Sequence, residues 1–236
     1  MATFVSRSIA CPSCNHVHQT SLVISLNAVR RPDLVEEVVS DQFQRIVCAA
    51  CGTRFEADDP FVYIDFDHKL WIACLPARGE QGWHRYEQES QHTWEENMLR
   101  NAAPLVRKEA AHFSVRTVFG LTPLRDKLVT RFAGLDDRWL EVLKLLLMIE
   151  TENYGPGWRP HLWNATEDKL WFTLPNQTEM LVVARSRYTD LVMDPLQWIQ
   201  VLESVSCGPY VDVGRLMIGG ERTVEGVTFP YNQSPK

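Results

Sequence analysis

No apolar run in this chain approaches the roughly 20 residues that a membrane-spanning helix needs. The relevant apolar stretch, residues 145–149, is far shorter and reads as part of a helix. The opening residues, MATFVSRSIA, lack a basic segment followed by an apolar one, so no secretory signal is expected and a cytoplasmic location follows as the expectation. Internal repeats and low-complexity tracts are missing, as are the G-x-S-x-G, P-loop and dinucleotide fingerprints. So is any excess of positive charge. A formal net charge of −6 disfavours a protein that coats nucleic acid or an anionic membrane with its whole surface. What remains is a chain of 236 residues, 45% apolar and 23% charged, which is ordinary globular usage with room for one large domain or two small ones.

Cysteine is where the sequence speaks. Cys11-Pro12-Ser13-Cys14 and Cys48-Ala49-Ala50-Cys51 form two C-x-x-C pairs separated by 33 residues. Each is followed by a residue suited to a tight turn, Asn15 and Gly52. A two-residue spacer lets both thiolates of a pair face one ion, and two pairs complete a tetrahedral Cys₄ sphere that suits structural zinc. Other readings compete. A thioredoxin-type dithiol needs a helix start in a βαβ unit, which neither pair has. A disulfide fits an exported protein better, and an iron–sulfur cluster usually has a denser cysteine run. Structural Zn²⁺ held by Cys11, Cys14, Cys48 and Cys51 is therefore preferred. His16 and His18 stand beside the first pair and are read as exposed strand residues. Cys74 and Cys207 sit in apolar contexts and read as buried, inert thiols.

Alternation of apolar and polar residues predicts strands over 17–28, 43–47, 53–57, 61–66 and 70–75, with a helix starting near Pro32. The expected architecture is α+β. Residues 1–77 form a β-rich, zinc-ribbon-like module with one inserted helix, and residues 85–236 form an α+β domain beyond a polar boundary. In the second part a helix is expected over 86–103, a strand near 113–117 and a helix after Thr122-Pro123. Asp136 should cap a central helix running to Ile149. Paired strands at 170–174 and 180–184, a helix over 195–205 and a hairpin at Gly219-Gly220 complete the reading.

Cys11-Pro12-Ser13-Cys14, Cys48-x-x-Cys51-Gly52, Ser25-Leu26-Asn27-Ala28 and Pro32-Asp33-Leu34 together resemble the bacterial CpXC-domain proteins. The likeness continues through Val115-Arg116-Thr117-Val118, Leu124-Arg125-Asp126-Lys127-Leu128 and Gly134-Leu135-Asp136-Asp137-Arg138, over roughly the first 150 residues. The second knuckle departs in carrying Ala49 where proline is expected, with both thiolates kept. The resemblance implies a zinc-ribbon fold in a bacterial cytosolic protein. It carries no established activity to transfer.

Catalytic constellations come only as near misses. In His92-Thr93-Trp94-Glu95-Glu96 the second histidine of an inverted zinc-protease motif is replaced by glutamate. Asp65-Phe66-Asp67-His68 reads as a polar strand end entering a turn rather than a cation site. An enzyme with an unrecognised site in the C-terminal domain stays open as an alternative, without residues to support it. Residues 1–80 carry seven basic and ten acidic residues, whereas 100–131 carry seven basic and two acidic. If Arg116, Arg125, Lys127 and Arg131 converge, they offer a surface to nucleic-acid phosphates or an acidic protein. Trp158, in the aromatic loop Tyr154-Gly155-Pro156-Gly157-Trp158, is a candidate partner contact. The leading expectation is a non-catalytic, zinc-containing interaction protein that docks a protein partner, with nucleic-acid binding as the alternative and no role for a membrane.

Overall fold

A computed structural model describes residues 2–151, 158–175, 178 and 180–218. The expected hairpin at Gly219-Gly220 and the loop residues 154–157 lie outside these. The fold is mixed α+β, and the chain divides into two compact units: Met1–Glu80 with Gln88–Arg125, and Gln81–Glu87 with Asp126–Lys236. No helix among the described residues is long and apolar enough to cross a membrane.

In chain order, the first part holds β1 (Thr3–Ala10), β2 (Val17–Asn27), α1 (Pro32–Val39), β3 (Arg45–Val47), β4 (Arg54–Glu56), β5 (Phe61–Asp65) and β6 (Leu70–Leu75). Then come α2 (Trp83–Trp94), α3 (Pro104–Ala110), β7 (Ser114–Phe119) and α4 (Leu121–Phe132). Five strands make one sheet in the order β1-β2-β5-β6-β7, antiparallel within β1–β2 and β5–β6 and parallel where β2 meets β5 and β6 meets β7. A parallel pair needs a long crossover rather than a tight turn. The β2–β5 crossover carries α1 and the small β3–β4 hairpin; the β6–β7 crossover carries α2 and α3. Pro32 opens α1 with Asp33 in its first turn, and Leu34 and Val38, one helical turn apart, are its buried face. On the sheet, Trp71 and Trp94 meet edge to face at 5.7 Å, and Met98 and Ala110 complete that cluster with Ala73.

This pairing moves the expected boundary. Residues 88–125 belong with the first unit because β7 extends its sheet beside β6 and Trp94, Met98 and Ala110 cover Trp71. The polar composition of 77–92 marks exposed helix surface, not a linker. The single helix expected over 86–103 is also corrected. It widens into a π-helical segment at Glu95–Arg100, with the Asn101 amide donating to the Glu96 carbonyl at 2.9 Å, and a separate α3 follows. Pro104 there is the first residue of a new helix, where its missing N–H costs nothing.

The second unit adds α5 (Asp137–Glu150), β8 (His161–Ala165), β9 (Lys169–Thr173), β10 (Met180–Ala184), α6 (Arg185–Met193) and α7 (Ile199–Ser206). The three strands form an antiparallel sheet in the order β10-β9-β8, and α6 and α7 both pack on α5. The Asp136 carboxylate caps α5 by accepting from the Arg138 amide at 3.0 Å. As its sequence pattern requires, α5 is buried on more than one face. It carries charge inward as well: Glu141 and Lys144 are almost fully buried.

Candidate metal centre

Both C-x-x-C pairs adopt the same turn. In the first, the Cys11 amide donates to the His16 carbonyl at 2.9 Å and the Asn15 amide donates back to the Cys11 carbonyl at 2.9 Å. In the second, the Cys48 amide donates to the Thr53 carbonyl and the Gly52 amide to the Cys48 carbonyl, each at 2.8 Å. The residue after each second cysteine turns into the left-handed region, Asn15 at φ 59° and Gly52 at φ 73°. Asparagine and glycine are the residues that visit that region at least cost. Nothing lies within 4 Å of where a Gly52 side chain would sit, so only the backbone resists substitution. Gly52→Ala should therefore destabilise the chain by about 1 kcal/mol in a denaturant melt, whereas Asn15→Gly should be close to neutral.

The turns are presented by neighbouring elements. The first closes the β1–β2 hairpin, where Ala10 faces Val17, and the second closes β3–β4, where Val47 faces Arg54. Cys11 and Cys48, leaving their strands, are buried, while Cys14 and Cys51 on the turns are exposed. The sulfurs interleave between pairs: Cys11 Sγ lies 3.7 Å from Cys51 Sγ and Cys14 Sγ 3.6 Å from Cys48 Sγ. All four lie within 4.8 Å of one another. A tetrahedron with metal–sulfur bonds of about 2.3 Å has edges of about 3.8 Å, so the sulfurs stand close to the spacing a single tetrahedral ion imposes. That is much longer than a disulfide bond and too compact to enclose several irons with their sulfides. The four cysteines could hold one metal ion.

The thiols also influence one another. The Thr53 side chain and amide, both bonded to Cys51, lower its pKa to about 6, and hydrogen bonds from Cys14 and Cys48 assist. At Cys14 the His16 backbone pulls downward, but hydrogen bonding to Cys51, Cys48 and Cys11, with some loss of hydration, pushes the thiol up to about 12. With Cys51 as the thiolate, Cys14 keeps its proton. Four thiolates at this spacing need a cation to balance them.

Thr53 is the contributor that sequence reasoning missed; its only signal was its place directly after Gly52. His16 and His18 do not join the cluster among the described residues. His16 is exposed, its ring 4.9 Å edge-on from that of His18. His18 departs from the exposed reading: it is half-buried beside Phe55, with a buried Nε2 that has no partner among the described residues. Cys207, expected buried, is exposed, and Cys74 is buried as expected. Asp65 closes the β5–β6 turn, accepting from the Asp67 and His68 amides at 3.0 Å and from the Tyr63 hydroxyl at 3.0 Å.

The basic residues singled out between 100 and 131 are divided between the two units. Arg116 and Arg125 belong to the first unit, Lys127 and Arg131 to the second. Half-buried Arg116 donates to the Val115 carbonyl at 2.7 Å. Arg125 is buried and donates to the Val39 carbonyl at 2.6 Å. Lys127 is also buried, 2.8 Å from Glu141 Oε1 and 3.4 Å from Asp137 Oδ2. Arg131 is half-buried on α4. Both side chains are turned away from solvent, Arg125 bonded to a backbone carbonyl and Lys127 paired with carboxylates of its own unit. Trp158 is half-buried, with its indole N–H enclosed and without a partner among the described residues.

No curated protein and no solved structure matches the chain. The family model for CpXC protein, whose defining feature is present in the first knuckle, matches residues 9–144, more than half of the sequence, and the chain belongs to that family.

Proposed function

We propose that the four cysteines hold Zn²⁺ in a structural role and that the protein is a non-catalytic adaptor whose second unit docks a protein partner. The sulfur geometry supports the metal half of this reading. The ligand set is all-thiolate with no open position, whereas catalytic zinc sites keep one position for water or substrate. Zinc carries no redox chemistry, and tetrahedral S₄ coordination selects it or iron. All six cysteines are unpaired, which suits a reducing cytoplasm. The adaptor half is supported by apolar side chains exposed on the second unit, among them Met193 and Leu196. The buried positions of Arg125 and Lys127 count against the alternative of nucleic-acid binding through the 100–131 stretch.

Affinity capture with the intact, metal-loaded chain tests the adaptor reading. A specific protein is expected in the eluate, retained after nuclease treatment. An eluate containing only nucleic acid, lost steeply as salt rises, would favour the alternative. An empty eluate would contradict both.

A further inference from the structure

The end of α6 and the start of α7 leave large apolar side chains outside the second unit. Met193 is 78% exposed and Leu196 81%, and Val192 and Ile199 are exposed beside them in sequence. The inward faces of the same helices account for their own packing: Tyr188 and Leu191 are the buried residues of α6, Val201 and Val205 those of α7. The exposed four are therefore not needed to fix either helix. Isolated exposed apolar residues are ordinary, but four within residues 192–199, with Met193 and Leu196 the most exposed, are a local concentration that needs an explanation.

Its charge indicates the occupant. Asp194 lies between Met193 and Leu196. Asp190 precedes it by one turn on α6, and Glu203 follows Ile199 by one turn on α7; all three are exposed. From residue 188 to residue 214 the sequence has no lysine, arginine or histidine. The two arginines that open α6 are engaged elsewhere: Arg185 donates to the carbonyls of Ala133 and Thr166, and Arg187 pairs with Glu150. An apolar segment containing an unbranched methionine, with only acidic charges beside it in the sequence, matches the apolar face and basic flanks of an amphipathic helix.

We propose that this α6–α7 surface binds a cationic amphipathic helix of a protein partner. The inference rests on the adaptor reading and deepens it by giving the partner's chemistry. The intact, metal-loaded chain can be titrated with a synthetic helix of about 18 residues, built of leucine at i, i+3, i+4 and i+7 and lysine elsewhere, and with its glutamate counterpart. The lysine peptide is expected to bind in the micromolar range, more weakly as salt rises, and the glutamate peptide not to bind. Leu196→Asp, at a position too exposed to disturb the fold, should weaken binding about 30-fold. Asp190→Lys with Asp194→Lys should remove the salt dependence. Equal binding of both peptides, or unchanged binding by Leu196→Asp, would overturn the proposal. So would a concentration-dependent dimer abolished by Leu196→Asp, because the surface would then serve a second copy. Capture of a protein partner that is indifferent to Leu196→Asp would remove this surface and leave the adaptor reading standing.

Discussion

Cys48→Ser is expected to strip the chain of its ion and to unfold the β3–β4 hairpin. That hairpin has three residue pairs, and only Ile46 and Phe55 offer half-buried apolar side chains between its strands. An isolated two-stranded hairpin is marginal in water. On the proposed zinc reading, its closure depends on the bond from Cys48 through the ion to the β1–β2 knuckle. Structural zinc contributes on the order of 10 kcal/mol in small domains, far more than three strand pairs supply. The variant should contain no ion and should become cleavable by protease within residues 43–57 of the otherwise folded chain. A variant that keeps its ion and its resistance to cleavage would show that the sulfur contributes nothing to the hairpin.

Lys144→Met should be the most damaging single change in the second unit, at about 3–5 kcal/mol. Lys144 Nζ is buried against Asp126 and lies 2.8 Å from Glu141 Oε1, which also accepts from Lys127 at 2.8 Å. Glu141 Oε2 accepts the Val213 amide at 3.1 Å, and His161 Nδ1 lies 3.3 Å from Asp126. Burial works against the charges of Asp126, Lys127 and Lys144, and the opposite charges around them hold them ionised. Burial alone would raise the Asp126 carboxyl, yet Lys144, His161 and Lys127 hold it well below the usual carboxylate range. Burial likewise opposes the Lys144 ammonium, but Asp126 and Glu141 raise it overall. Asp212 is also lowered, with burial outweighed by Arg159, Lys144 and Lys127.

Removing Lys144 leaves two buried carboxylates short of a counter-charge, which costs more than the volume change. Changing Asp126→Leu in the same chain should recover part of the loss, since the exposed imbalance is then smaller. Acid should act in the same direction. A carboxylate depressed in the folded state contributes fully above its unfolded value of about 3.9, and the contribution is lost as pH falls toward the folded value. Wild-type stability should thus drop below about pH 4, and the double variant should lose less over that range. Equal denaturant midpoints for wild type and Lys144→Met would contradict the account of this network.

The metal centre was legible because its chemistry is local. Spacing, turn residues and thiolates lie within a few positions, and the same turn recurs at both knuckles. The central helix α5 was legible for a similar reason, as Asp136 caps it and its apolar residues cover more than one face. Elsewhere the information is not local. Strand β1 is an edge strand exposed on both faces over most of its length, so TFVSRSIA shows no inward alternation and its role appears only through pairing with β2. Strand β7 could not be assigned to the first unit from sequence, because its parallel partner β6 lies across two helices. Strand β8 and helix α6 went unread; α6 has few buried residues, Tyr188 and Leu191, to mark an inner face.

Charge misled most. A cluster of basic residues reads as surface by composition, yet Arg125 and Lys127 face inward, and only the tertiary placement of Val39 and Glu141 reveals it. The exposed apolar residues after Asp190 reverse the same rule. In each case the residue types were visible and their acceptors or neighbours were not.

The central claim is that four sulfurs enclose one zinc ion. X-ray absorption at the zinc edge of the purified intact chain addresses it most directly. The expected result is one zinc per chain with a single shell of four sulfurs at about 2.3 Å. A shell containing nitrogen or oxygen, or a chain purified under reducing conditions without zinc, would contradict it.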